Sequence, residues 1–278
     1  MRRLTLLLSL PALLVTAQAA TTEMSLTTSD GYTLSGTLTV PEGKGKHPVV
    51  ILAHQFRSDR DGWSALVTKL NERGLATLAL DLRGHGASTD QAGVRVAVTN
   101  DFMPSARLVG FDQIPSDLAL AAAWVRKQKG VDGRHLGLAG SSMGAFASIL
   151  ASPRIRPNVV LALSPAGMEA FGERARERMV TAATRAHAAI MAFVSMDDKE
   201  ANENAEPLKP IFGANIRTFE GNRHGFDFLA PHSDVMAVFF AEYLLHPHTG
   251  RVAPAEPPKV EATPSATVLT PQAPPTNP

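Results

Sequence analysis

The chain of 278 residues contains no cysteine. That absence excludes a disulfide framework, a thiol nucleophile and thiolate metal sites. It also lacks any surplus of one charge: 27 Lys and Arg stand against 26 Asp and Glu, with net charge +1 and no run of like charges. The electrostatic footprint expected of a nucleic-acid binder is therefore missing. No H-E-x-x-H or paired metal-ligand spacing occurs, and no internal repeat is visible. The N-terminal apolar run, residues 4–15, falls short of the ~20 residues needed to span a bilayer.

What the N-terminus does have is Arg2 and Arg3, that apolar run, and then Ala17-Gln18-Ala19, the pattern of a secretory signal cut near Ala19. The competing reading is an uncleaved anchor or a buried first helix. No cysteine follows to carry a lipid. The expectation is an exported protein, periplasmic or secreted, with no stable membrane span after cleavage. At the other end, residues 253–278 are rich in Pro, Ala, Thr and Glu and poor in large apolar side chains. Such a segment buries too little surface to offset its ordering entropy, so 248–278 is expected to be an extended tail, either a spacer or tether or a solvated extension. Between them, residues 20–247 are enough for one sizeable domain.

Within that domain, residues 24–28 and 32–40 predict an antiparallel hairpin around Ser29-Asp30-Gly31. Continuous apolar runs at 49–53, 75–80, 159–163 and 189–195 have the character of strands buried on both faces, and 135–139 and 215–219 complete the set. Helical spacing marks 63–73, with Gly74 as its stop, then 116–129 with Ser116 as cap and Trp124 facing inward. Further helices are expected from Gly144 to near Pro153, over 168–185 and over 234–245, while 89–115 reads as a long loop. Strands alternating with helices predict an α/β fold: a mostly parallel, twisted sheet with helices on both faces and the hairpin as an antiparallel edge.

The stretch Gly140-Ser141-Ser142-Met143-Gly144 closes one strand and opens a helix. In that context G-x-S-x-G is a tight turn that pushes a serine hydroxyl out at the sheet's edge, with small residues flanking it. Only Ser142 has glycine at both flanking positions. Serine chemistry also needs a base, a group to orient the base, and donors for the oxyanion. In parallel sheets these collect at the carboxyl ends of strands. After 189–195 come Asp197 and Asp198; after 215–219 comes His224 on a Gly-flanked loop; after 49–53 comes the turn His54-Gln55-Phe56-Arg57-Ser58. That turn is positioned to offer one backbone N–H towards Ser142, and Met143 N–H offers a second.

Together with the turn Asp81-Leu82-Arg83-Gly84-His85-Gly86-Ala87-Ser88 and His224-Gly225-Phe226, these pieces resemble the α/β-hydrolases, nearest to the dienelactone hydrolase and serine-aminopeptidase-like esterase branches. The resemblance implies Ser142 as nucleophile, His224 as general base and Asp198 as orienter, with no metal and no cofactor. It departs from the usual pattern at the oxyanion turn, where Gln55 stands in place of the glycine of His-Gly-x. The donor role passes to Phe56 by position, with Gln55 as the alternative. The usual Gly-x-x-Asp aligns with Ser195-Met196-Asp197-Asp198, so Asp198 is the expected acid and Asp197 the alternative.

Residues 164–188 are too few for the multi-helix cap that many relatives insert there, so no large cap domain is expected. Phe102, Met103, Phe111 and Ile114 in the 89–115 segment offer a light cover. Arg57, Arg60 and Arg83 are either solvated loop arginines or cations that favour an anionic substrate; Arg83 and His85 either shape the mouth or hold their loop in place. The leading expectation is an exported serine hydrolase of small-molecule carboxylic esters or lactones, acting through an acyl-enzyme. The alternatives are a peptidase or amidase using the same groups, and a non-catalytic envelope binding protein on the same fold.

Overall fold

The computed structural model describes residues 19–246. The expected signal, except for Ala19, and the expected tail lie outside the described residues. The hairpin forms as β1 (Ala20–Thr27) and β2 (Tyr32–Val40). After it come β3 (His47–Ala53), a 3₁₀ turn at Arg60–Trp63, α1 (Ser64–Glu72) and β4 (Ala76–Asp81). A two-residue hairpin, β5 (Asp90–Gln91) and β6 (Val94–Arg95), leads into α2 (Phe102–Val109) and α3 (Ile114–Val125). Then come β7 (Val131–Ser141), α4 (Met143–Ile155), β8 (Val159–Leu163) and α5 (Ala175–Ala186). The chain closes with β9 (Ala189–Ser195), α6 (Lys199–Ala205), β10 (Ala214–Phe219) and α7 (Leu229–Leu245).

The strands form one sheet in the order β10-β9-β8-β7-β3-β4-β2-β5-β6, with β1 paired to β2. From β10 to β4 every neighbouring pair is parallel; β2 joins β4 antiparallel. Both faces are covered, and β3 shows how. Val49, Ile51 and Ala53 pack with α3, α4 and α5 side chains, while Val50 and Leu52 pack with Trp63, Leu66, Phe240 and Leu244 beneath α1 and α7. Burying each such aliphatic side chain contributes roughly 1.5–3 kcal/mol. A strand apolar from Pro48 to Ala53 therefore suits this central place and no edge.

Several helices differ from expectation for identifiable reasons. The 89–115 segment is not a plain loop, since it holds α2. Helix α3 starts at Ile114 with Pro115 in its first turn, where a missing N–H costs nothing, so Ser116 is not its cap. Helix α4 runs through Pro153 to Ile155. Proline leaves the carbonyl four residues back without its amide donor, and here the Ser152 hydroxyl fills that place, donating to Ile149 O at 2.6 Å. The expected 168–185 helix is split into a 3₁₀ turn (Met168–Phe171) and α5, because Gly172 and Arg174 adopt φ 85° and 52°.

Candidate functional site

Ser142 sits between β7 and α4 with φ 53° and ψ −118°, a conformation rarely adopted by a residue bearing a side chain. Its neighbours explain how the turn is held. Ser142 N–H donates to Leu163 O on β8 at 2.8 Å, and Ser142 O accepts from Ala145 N at 3.0 Å and Phe146 N at 3.1 Å, opening the helix. A Cβ on Gly140 would lie 2.3 Å from Gly144 O, the clash across the turn that the motif avoids. A Cβ on Gly144 would meet a different element: it would lie 2.3 Å from Ala53 O and 2.5 Å from His54 O. The second glycine therefore lets the serine turn rest directly on the exit of β3.

That exit is the turn from His54 to Ser58. Ser58 N–H closes it on Gln55 O at 3.2 Å, and Arg57 takes φ 60°. The closing bond does not use the Phe56 N–H. Met143 N–H, in the first turn of α4, has no intrahelical acceptor. His54 anchors the turn from below, with Nδ1–H donating to Gln55 O at 2.7 Å and Nε2 accepting from Leu82 N at 2.9 Å. Complete burial, with His85 nearby, pushes its pKa down to about 3, so the imidazole stays neutral with its tautomer set by these two partners.

His224, after β10, and Asp198, after β9, meet: Nδ1 and Oδ2 are 2.7 Å apart. With the carboxylate ionised, Nδ1 carries the proton and Nε2 is left with its lone pair. Asp198 caps the start of α6, its backbone O accepting from Asn202 N at 3.0 Å. Asp197 is exposed, and its N–H donates to Gly221 O at 3.0 Å.

Three side chains that local patterns did not single out in these roles tie the loops together. Gln55 Oε1 accepts from Ser141 Oγ at 2.8 Å and from Phe226 N at 3.0 Å. Ser164, at φ 47° where β8 ends, accepts from Gly225 N at 3.1 Å. Glu200 Oε1, on α6, accepts from Gly167 N at 2.6 Å and Met168 N at 3.2 Å. The anomaly at Gln55, where a glycine was expected, was a sequence signal; Ser164 and Glu200 carried none.

Of the arginines considered for anion recognition, two are committed elsewhere. Arg83 is 1% exposed, bonded to Asp117 at 2.6 and 2.9 Å and to Asp30 at 2.8 Å, with its guanidinium over the Tyr32 ring. Burial opposes its charge, but Asp117 and Asp30 more than offset this and hold the guanidinium above its ordinary range. Arg60 pairs with Glu23 and Asp81. Arg57 is exposed. His85 is buried, its Nδ1 3.0 Å from Arg83 O and its ring stacked on Phe111. Arg83 and His85 thus hold their loop together from inside. Above the turn, α2 sets Phe102 against Phe56, with ring centroids 5.2 Å apart, and against Gly167, where a Cβ would lie 2.6 Å from Phe102 Cζ. Among the described residues no group of three or more His, Asp and Glu converges to hold a metal ion.

A strained serine at a strand-to-helix turn, an imidazole–carboxylate pair and a donor-bearing turn make up this sheet edge, and known proteins share its framework. The sequence model of the hydrolase-4 family, described as serine aminopeptidase, S33, matches residues 45–203, which include the 54–58 turn, Ser142 and Asp198. An uncharacterized 31.7 kDa protein of the traX-finO intergenic region of Escherichia coli is 34% identical over 117 residues, 42% of this chain. The chain spans about a third, 35%, of the length of that curated relative. The structure is similar to an acetyl xylan esterase from Paenibacillus sp. R4, with TM-score 0.65 and 17% identity over 84% of this chain and 87% of the other. It is also similar to a dienelactone hydrolase from Anabaena variabilis, with TM-score 0.58 and 20% identity over 82% and 98%. At these identities the likeness to solved structures is one of fold, while the family match covers more than half of the sequence. The chain belongs to the serine aminopeptidase S33 family of α/β-hydrolases.

Proposed function

We propose that this chain is an exported serine hydrolase that cleaves carboxylic esters or lactones of small molecules through Ser142, His224 and Asp198. The observation that carries the reading is the 2.7 Å contact between His224 Nδ1 and Asp198 Oδ2, on strand exits that follow the one bearing the strained Ser142. Export rests on the Arg2-Arg3, apolar-run and Ala17-Gln18-Ala19 pattern.

In this mechanism Ser142 Oγ attacks the carbonyl carbon as its proton passes to His224 Nε2. Asp198 keeps Nδ1–H oriented and stabilises the imidazolium without taking the proton. The tetrahedral oxyanion is received by the N–H groups of Phe56 and Met143, each worth on the order of 10²–10³ in rate. The intermediate collapses, the alcohol leaves with the proton from His224, and a water activated by His224 then cleaves the acyl-serine ester.

The family description favours a second reading, a peptidase with the same machinery. An aminopeptidase needs a free carboxylate near the site to hold the substrate amine. Glu200, on the helix that Asp198 caps, already serves Gly167 and Met168 N–H. Hydrolysis rates for p-nitrophenyl esters and aminoacyl amides, wild type beside Ser142→Ala, test the proposal. Ester turnover that vanishes in Ser142→Ala supports it; amide turnover alone replaces it with the peptidase reading. No turnover of either class speaks for a non-catalytic protein.

A further inference from the structure

We infer that Gln55 is a positioning residue whose side-chain carbonyl locks the His224 loop onto the serine turn. This rests on the hydrolase reading above and adds to it a residue that touches no substrate. A carbonyl oxygen has two lone pairs, and Gln55 Oε1 uses both: one for the Ser141 hydroxyl at 2.8 Å, one for Phe226 N–H at 3.0 Å. One side-chain atom thus joins the residue before Ser142 to the second residue after His224, across 171 positions of sequence in the latter case.

Each partner needs this acceptor. Ser141 is fully buried, where a hydroxyl without a hydrogen-bond partner is destabilising. Phe226 N–H lies in the first turn of a 3₁₀ segment, Gly225–Phe228, and has no acceptor within it. Gly225 lies between the partners with φ 54°: a Cβ there would fall 2.1 Å from Gln55 Oε1 and 2.5 Å from Ser141 Oγ and would push the bonded pair apart. Its own N–H is held by Ser164 Oγ at 3.1 Å. The His224 side chain is 38% exposed, too open for packing alone to hold it. Its place is set by Asp198 on the ring, by Asp227, whose Oδ2 accepts from His224 N at 3.0 Å, and by the two bonded amides that follow it in the chain. A glycine at position 55 supplies no side-chain acceptor for either donor.

The test compares Gln55→Ala, Gln55→Glu and Gln55→Gly with wild type by ester kinetics, thermal melting and hydrogen exchange of the peptide containing Phe226. A misplacement of about 1 Å costs on the order of 10²-fold in rate. The expected result is therefore a 10- to 100-fold fall in kcat for the Ala and Gly variants, with KM little changed, and faster exchange at Phe226. Gln55→Glu keeps an acceptor oxygen for both donors and is expected to recover most of the kcat. Wild-type kcat in Gln55→Ala overturns the inference, and so does a loss shared equally by Gln55→Glu that follows the melting temperature. The exchange measurement separates this inference from the hydrolase reading. An inactive wild type overturns the hydrolase reading, while unchanged Phe226 exchange in Gln55→Ala overturns the lock.

Discussion

His224 Nδ1 stands 2.7 Å from Asp198 Oδ2, while Asp197, one residue earlier, is exposed and bonds through its backbone to Gly221. A shift of one position separates the carboxylate bonded to the imidazole from a solvated one. Asp198→Asn should lower kcat by on the order of 10³–10⁴-fold, since the amide no longer enforces the Nδ1–H tautomer. Asp197→Asn should leave kcat within a few fold. Steady-state ester kinetics on the two variants check this, and the reverse ranking would move the acid to Asp197.

The buried Arg83–Asp117 pair predicts a stability effect. Removing one partner of a buried ion pair costs about 3–5 kcal/mol, because the other charge stays behind without compensation. Arg83→Leu and Asp117→Leu should each melt well below wild type, and the double variant should melt above either single. Thermal melts of the three variants measure this coupling. Additive losses would show that Asp30, which is more exposed, carries the Arg83 interaction instead.

Stability should also fall with acid through His54. Its ordinary pKa of 6.5 is pushed to about 3 by burial first and by His85 second. Below pH 6.5 the unfolded chain binds a proton that the folded chain refuses until about pH 3. The stability tied to neutral His54 is therefore complete above pH 6.5 and lost as pH falls towards 3. His54→Gln is expected to be the less stable protein at pH 7.5, with a gap to wild type that narrows by up to about 2 kcal/mol at pH 5. Urea midpoints at the two pH values test it; a gap that widens in acid contradicts it.

Much of this framework was legible in the chain. Strands β8 and β9 match the apolar runs 159–163 and 189–195 end to end, because a strand buried on both faces writes its limits directly into composition; β2 matches the expected hairpin strand 32–40, where buried and half-buried positions alternate. Helix limits were harder where proline and glycine stood. Pro153 reads locally as a stop, yet the Ser152 hydroxyl takes over the vacated carbonyl and α4 continues. Helix α7 begins at Leu229 and not at Asp234, because Pro231 fits within its first turn.

The candidate site divides in the same way. Ser142, Asp198 and His224 could be singled out as candidates because each follows a recognisable strand, and strand exits are where a parallel sheet gathers its polar groups. Gln55 could only be noticed as an oddity. Its two partners lie 86 and 171 residues away, and no local pattern encodes bonds of that span.

Ser142 is the proposed nucleophile, and covalent labelling tests that role most directly. A fluorophosphonate probe phosphonylates a serine only when a neighbouring base activates it, and peptide mapping by mass spectrometry locates the adduct. One adduct is expected, on the peptide containing Ser142, absent in Ser142→Ala and strongly slowed in His224→Ala. An adduct on Ser141 or elsewhere, or equal labelling of wild type and Ser142→Ala, would contradict it.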